Sequence, residues 1–246
     1  MDLLGFNRRT IEAFKKGAEE ELFVRLHSVM SKGSELLKDE DTPPIWSYKV
    51  FTDNIVFGLP IRLTHDSESE FGIAITQIIY FQMSMALEGF FVRGGFTLGP
   101  LYIGEEMAYG VALLEAVDIE ERIANNPRII ISKVVMDLIK KHLKYYAHPK
   151  ESPQNAEILI DVDGQPFINY LFTAIDDDFI HWSAIQRHKQ NIESSLEEFQ
   201  NESAIWSKYL WVANYHNFFC RQIEDCPNKY FVDPKLLVQE PKRLVD

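Results

Sequence analysis

The sequence predicts an α/β sandwich of the α+β class, with helices on one face of a mixed sheet and the other face left open. Three observations carry this. Short β-branched or aromatic runs recur at 48–51, 55–57, 91–97, 101–104 and 128–132. Longer stretches with helical spacing separate them, giving the order β-α-β-β-α-β-β-α-β when a strand end at residues 1–4 is counted. The chain of 246 residues is 46% apolar and 25% charged, enough for one substantial core or a core with an added lobe.

Taken in order, Met1 to Leu4 is apolar apart from Asp2 and runs up to Gly5. Only Met1 precedes Asp2, whereas strands ordinarily have about five or six residues. Either the first strand is unusually short or the numbered start is internal to a longer chain. Ile11, Phe14, Ala18, Leu22 and Leu26 set the spacing of one long helix over 8–37. The polar stretch Lys38 to Pro44 ends in two prolines and reads as a linker. A hairpin follows over 46–59, turned at Asp53-Asn54.

Ser67, with Glu70 three residues on, predicts a capping box opening a helix that runs to about Glu88 and stops at Gly89. Its residues are apolar on nearly every side, so it is expected to be buried on more than one face. Strands at 91–97 and 101–104 are joined at Leu98-Gly99-Pro100, and a helix at 109–124 is stopped by Asn125-Asn126-Pro127. A strand at 128–132 leads into a helix ending near Leu143, then a loop over 148–155. Residues 157–162 and 166–171 predict a hairpin turned at Asp163-Gly164, which explains Asp161 and Asp163 better than a calcium loop does. Two amphipathic helices at 179–200 and 203–223 complete an added lobe, where His216 reads as a packed or hydrogen-bonded residue, and a polar tail follows Pro234.

Composition excludes several functions. A formal charge of −12 leaves no basic surplus to neutralise nucleic-acid or anionic-membrane phosphates. An anionic ligand would have to be held locally. No apolar run approaches a membrane span and no leader pattern opens the chain, while Cys220 and Cys226 fit free thiols; a cytoplasmic protein is expected.

Three side chains stand out chemically. Asp53 is expected at a hairpin tip on the rim of the core. Asp2 lies at a strand end just before a glycine and a helix start, where free N–H groups suit a phosphate with its metal ion. Two such aspartates can share one or two divalent cations, which activate an attacking oxygen and screen a polyphosphate. Arg93 sits in an otherwise apolar strand and needs an anionic partner, which a polyphosphate would supply.

In Asp2-Leu3-Leu4-Gly5-Phe6, Phe51-Thr52-Asp53-Asn54-Ile55-Val56, Arg93-Gly94-Gly95 and Tyr109-Gly110-Val111-Ala112, the sequence resembles class III nucleotide cyclases. Among these it is most similar to the bacterial pyrimidine cyclases of Pycsar antiphage defence. The resemblance covers roughly residues 1–132, and more weakly Lys208-Tyr209-Leu210-Trp211 with Tyr215-His216-Asn217. It implies a ferredoxin-like βαββαβ core in a catalytic domain over 1–148, with a hairpin and helical extension over 149–246 packed on it. It further implies that Asp2, Asp53 and the Leu3 main chain hold two Mn2+ or Mg2+ ions. Leu3, Leu4, Gly5 and Phe6 with Arg93 would hold the phosphates, and Tyr48 or Lys49 would read the base. Active sites would form between the subunits of a head-to-tail homodimer, and a separate effector would sense the product.

The expected activity is conversion of UTP to 3′,5′-cyclic UMP and pyrophosphate. Cytidylate cyclase is the alternative, and Lys49 alone would also permit a purine. Where purine cyclases carry an Asn and, four residues later, an Arg, this chain has Leu114 and Asp118. Their transition-state arginine therefore has no counterpart here, which leaves a non-catalytic nucleotide-binding module as a further alternative.

Overall fold

The computed structural model describes residues 1–35, 47–51, 53–61, 67–176, 179–232 and 242–243. The expected linker at 38–44 lies outside them, as does Thr52 and most of the tail after Pro234.

The chain opens with β1 (Asp2–Leu3) and turns at Gly5 into α1 (Phe6–Lys16). Gly5 has φ 71°, and a Cβ there would stand 3.0 Å from the Phe199 ring, so both backbone and space call for glycine. The single helix expected over 8–37 is instead two, α1 and α2 (Glu19–Glu35). Gly17, at φ 67°, ends the first with a Schellman pair: Gly17 N–H to Phe14 O at 3.3 Å and Ala18 N–H to Ala13 O at 2.9 Å. Apolar spacing runs across such a break undisturbed.

β2 (Ser47–Phe51) and β3 (Asn54–Gly58) form the expected hairpin. Its last pair is Phe51 with Asn54, so Asn54 belongs to the strand and not, as expected, to the turn. α3 (Glu68–Leu87) begins where expected, but Ser67 adopts φ 63° and its side chain makes no cap bond, so the capping box is not formed. β4 (Val92–Phe96) does not pair with β5 (Tyr102–Ile103); β5 pairs with β6 (Ala108–Tyr109) in a separate ribbon. Then come α4 (Val111–Arg122), β7 (Ile129–Ile131) and α5 (Lys133–His142), whose Ser132 Oγ accepts from the Val135 N–H.

The expected loop at 148–155 ends in a short helix, α6 (Pro153–Glu157), which begins with proline, where an N–H would have no partner within the helix. β8 (Ile158–Ile160) and β9 (Pro166–Ile168) make the expected hairpin, with Gly164 at φ 81°. A small ribbon, β10 (Ile175–Asp176) and β11 (Phe179–Ile180), precedes α7 (Trp182–Glu198) and α8 (Ser203–Arg221), and β12 (Lys242–Arg243) pairs with β8.

Among the described residues the main sheet has the order β12-β8-β9-β7-β4-β1-β3-β2. β4 and β7 are parallel and the other described pairs antiparallel, so the sheet is mixed as expected. Helices lie on both faces, however. A Cβ on Gly95 would strike Ala116 O at 2.8 Å in α4, whereas its neighbour Phe96 meets Phe71 of α3 with ring centroids 6.2 Å apart. Successive strand residues point to opposite faces, so α3 and α4 cover opposite sides. α3 is apolar all round because α2 and α7 pack on its far side. α8 joins α4 on the second face, its Trp211 edge-on to Phe167 with ring centroids 5.4 Å apart.

Asp161 and Asp163 do not form a cation site of their own. The buried Arg128 guanidinium bridges both, Trp211 Nε1 donates to Asp161 at 2.8 Å, and the turn is thereby fastened to the core. The last helices also close on the first residues. Tyr209 OH donates to Leu4 O at 3.4 Å, and Arg9 donates to Ser195 Oγ at 3.0 Å and pairs with Glu198 at 2.9 Å. Cys220 and Cys226 are both free thiols. Among the described residues no helix is long and apolar enough to cross a membrane.

His216 is packed, not exposed to a ligand. Tyr170 OH lies 2.8 Å from His188 Nε2, His188 Nδ1 lies 2.9 Å from His216 Nδ1, and His216 Nε2 lies 2.8 Å from the Tyr230 carbonyl. A carbonyl only accepts, so His216 carries its proton on Nε2, and His188 on Nδ1, with Tyr170 donating. Every bond in this chain is satisfied with both rings neutral. Burial pushes both imidazoles down, His216 to about 4.

Candidate functional site

The short strand β1 brings the predicted residues together. Asp2 lies directly across from Asn54 on one side and from Arg93 on the other. Leu3 N–H donates to the Asp53 carbonyl at 3.2 Å, which sets the hairpin tip beside the strand end. The Asp53 carboxylate accepts from Asn54 Nδ2 at 3.4 Å.

Arg93 is an internal ion-pair partner in this state. Its Nε donates to Asp2 Oδ2 at 2.8 Å, and its Nη2 stands 2.7 Å from Glu120 Oε1 of α4. The second contact is close but not aligned as a hydrogen bond. All three side chains are largely shielded, between 10% and 21% exposed. Burial raises the Glu120 carboxyl above its usual range against the pull of Arg93, while burial lowers the Met1 ammonium beside it.

Two residues that sequence reasoning did not place here complete the cluster. Glu120 arrives because α4 crosses over β4 at Gly95. Lys208 arrives from α8, near enough for its ammonium to feel Arg93, Asp2 and Glu120, though burial is the main cause of its lowered pKa. The sequence signal for Lys208 was its place in the more weakly similar stretch Lys208-Tyr209-Leu210-Trp211, which gave it no position at the site.

The Leu3 to Phe6 segment divides. Leu3 and Leu4 are buried, and their N–H groups are spent on Asp53 O and on Phe91 O at 2.8 Å. The first N–H groups of α1, at Phe6, Asn7 and Arg8, precede the first helical bond, Arg9 N–H to Gly5 O at 3.0 Å, so they form the anion-directed end of the segment. Lys49 and Tyr48 also separate. Lys49 pairs across from Val56 on the Asp2 face, and its ammonium bonds the Glu105 carbonyl. Tyr48 pairs with Phe57, which faces α3 through Phe81, so Tyr48 belongs to the opposite face.

On the outer surface of α4, Leu114 is 72% exposed and Asp118 is paired with Arg122 at 2.7 Å. Tyr109, Val111 and Val117 are exposed beside Leu114.

The chain matches no family model, no curated protein and no solved structure. Its site therefore stands on its own geometry. Among the described residues no three His, Cys, Asp or Glu side chains gather closely enough to hold a metal ion by themselves. Two carboxylates and a main-chain carbonyl are nevertheless hard oxygen donors of the kind Mg2+ and Mn2+ prefer, and phosphate oxygens would complete such a set. The residue types are those that hold a metal arriving with a polyphosphate.

Proposed function

We propose that the protein is a metal-dependent pyrimidine nucleotide cyclase, converting UTP to 3′,5′-cyclic UMP and pyrophosphate in the cytoplasm as a second messenger of antiphage defence. The observation that carries this reading is the convergence of Asp2, Asp53 and Arg93, far apart in sequence, at the end of one short strand. The order β4-β1-β3-β2, with α3 between β3 and β4, is also that of a ferredoxin-like βαββαβ unit and supports a cyclase-like core.

In the reaction, the ribose 3′-oxygen bonds to the α-phosphorus as the bond to the bridging oxygen breaks. Pyrophosphate leaves and the hydroxyl proton is released. Asp2 and Asp53, with the Leu3 carbonyl, would hold Mn2+ or Mg2+, which when bound acidifies the 3′-hydroxyl and screens the triphosphate. This chain's own cations do the rest. Arg93 exchanges its internal carboxylates for phosphate oxygens, and Lys208 faces the charge that grows on the leaving group. The start of α1 turns its N–H groups to the same anion. Lys49, on the Asp2 face, reads the base. Lys208 thereby fills the role that Leu114 and Asp118 leave open.

The exposed apolar surface of Tyr109, Val111, Leu114 and Val117 supports a head-to-tail homodimer in which that surface is covered. A separate effector senses the cyclic product. Incubation with an equal mixture of the four ribonucleoside triphosphates and Mn2+, followed by chromatography, tests the proposal. Cyclic UMP is expected; cyclic CMP would reassign the base, a purine product would reassign the class, and no cyclic product would reject the enzyme. A non-catalytic binding module is the second reading, favoured by the carboxylates that already occupy Arg93. Tight UTP binding without turnover in either metal would select it.

A further inference from the structure

The two helices on either side of Gly17 form an antiparallel hairpin with two unlike sides. One side is turned to the body of the protein. There Arg9 bonds Ser195 and Glu198, and Arg25 donates to Glu88 O at 2.8 Å and lies over the Phe90 ring at 5.6 Å. The other side carries a groove of about 390 Å³, lined by Phe6, Thr10 and Phe14 of α1 and by Leu22, Phe23 and Leu26 of α2. Phe14 and Phe23 stand 66% and 65% exposed, and Ile11 beside Phe14 is 48% exposed. Large apolar side chains gathered in this way mark a surface that is covered by something.

The charges at the hairpin tip identify the cover. α1 ends in Lys15 and Lys16, and α2 begins with Glu19, Glu20 and Glu21, so opposite charges share one end of the hairpin. Ala13 and Leu22 line both the groove and the cleft behind it, and are therefore the positions at which the helices face each other. Lys15 and Glu20 each lie two residues away, about 200° around their helices. They occupy opposite outer flanks and point away from each other. Lys15 has only an exposed pair with Glu12 at 3.0 Å, of the kind that is easily exchanged.

We propose that the groove side of this hairpin docks on the same side of a second copy of this chain, about a two-fold axis parallel to the helices. Such a rotation lays α1 of one copy over α2 of the other with both tips at the same end. Phe14 then meets Phe23 of the other copy, and Lys15 meets Glu20, each contact occurring twice. A two-fold axis across the helices would send the tips to opposite ends and leave both charges without their complement. With α1 about 16 Å and α2 about 25 Å long, the face is at the small end of protein interfaces, and association should depend on concentration. This contact is separate from the head-to-tail surface on α4 and holds with or without cyclase activity.

Sedimentation equilibrium of the full chain across the micromolar range tests the contact. The unaltered protein should show a doubling of mass that Phe14→Glu with Phe23→Glu removes and that Leu114→Glu on α4 leaves in place. Lys15→Glu alone and Glu20→Lys alone should each weaken the doubling about tenfold, because each sets like charges together twice. An equimolar mixture of these two variants should associate at least as well as the unaltered protein, since every pair in the mixed dimer is again of opposite sign. The proposal is overturned if the double Phe variant associates like the unaltered protein, or if the mixture associates no better than its components. It is also overturned if the mass never doubles while phosphatidylcholine vesicles bind the unaltered protein and not the double Phe variant, which would give the face to a lipid surface.

Discussion

Asp2 and Arg93 meet side by side at 2.8 Å across neighbouring antiparallel strands, although 91 positions separate them in the chain. The pair orients the carboxylate and neutralises the guanidinium until a stronger anion arrives. Replacing Arg93 by Ala would leave Asp2 and Glu120 without their shared cation. The expected result is a loss of about 3 kcal/mol in stability, in the range found when one partner of a shielded ion pair is removed, together with lost UTP affinity. Urea unfolding and calorimetric titration measure the two effects separately.

Asp53 contributes little to packing at the hairpin tip. Asp53→Ala should reduce cyclic nucleotide formation at least about a hundredfold and shift the melting temperature by no more than about 2 °C. Turnover close to the unaltered protein would remove Asp53 from the mechanism.

Lys208→Ala tests the cation that tertiary structure adds to the site. We expect kcat to fall about a hundredfold with KM little changed, as when a group that meets developing charge is removed, and Lys208→Arg to recover part of it. A change in stability with kcat preserved would give Lys208 a structural role only.

Glu157 governs stability at neutral pH. Burial lifts its carboxyl from 4.5 to about 7, against the hydrogen bond it accepts from the Thr76 hydroxyl at 3.4 Å. The folded state therefore holds this proton more tightly than the unfolded chain. Its contribution is complete below about pH 4.5 and is lost as the pH rises through 7, and a shift of this size is worth roughly 3 kcal/mol. Glu157→Gln should flatten that slope and stabilise the protein at pH 8, as read by urea unfolding across pH 4.5 to 8.

The histidine pair acts in the opposite sense. With His216 lowered to about 4, its contribution is full above the ordinary 6.5 and is lost as the pH falls toward 4. Nitrogen-15 spectra should show both rings neutral at pH 6, with the proton on Nε2 of His216 and Nδ1 of His188. A charged imidazole at that pH would contradict the arrangement.

Much of this was legible in the sequence where local rules act alone. The β2–β3 and β8–β9 hairpins follow from alternation and turn residues, and α3 from its apolar run. Asn54 was expected in the turn because Asp53 and Asn54 are both acceptable turn formers, but it pairs with Phe51. The break at Gly17 was hidden because apolar spacing continues through it, and β5 was paired wrongly because sequence proximity stands in poorly for register. Asp2 and Arg93 could be named from residue type. Glu120 and Lys208 could not, since nothing local brings α4 and α8 to the end of β1.

The bonds from Leu4 to Tyr209 and from Arg9 to Glu198 also bear on how the molecule is made. The outer side of its opening segment, at Leu4 and Arg9, is covered only after about two hundred further residues have been translated. While the ribosome is at work, the nascent N-terminal half has an unsealed hydrophobic flank, and chaperone engagement should end once α8 clears the exit tunnel.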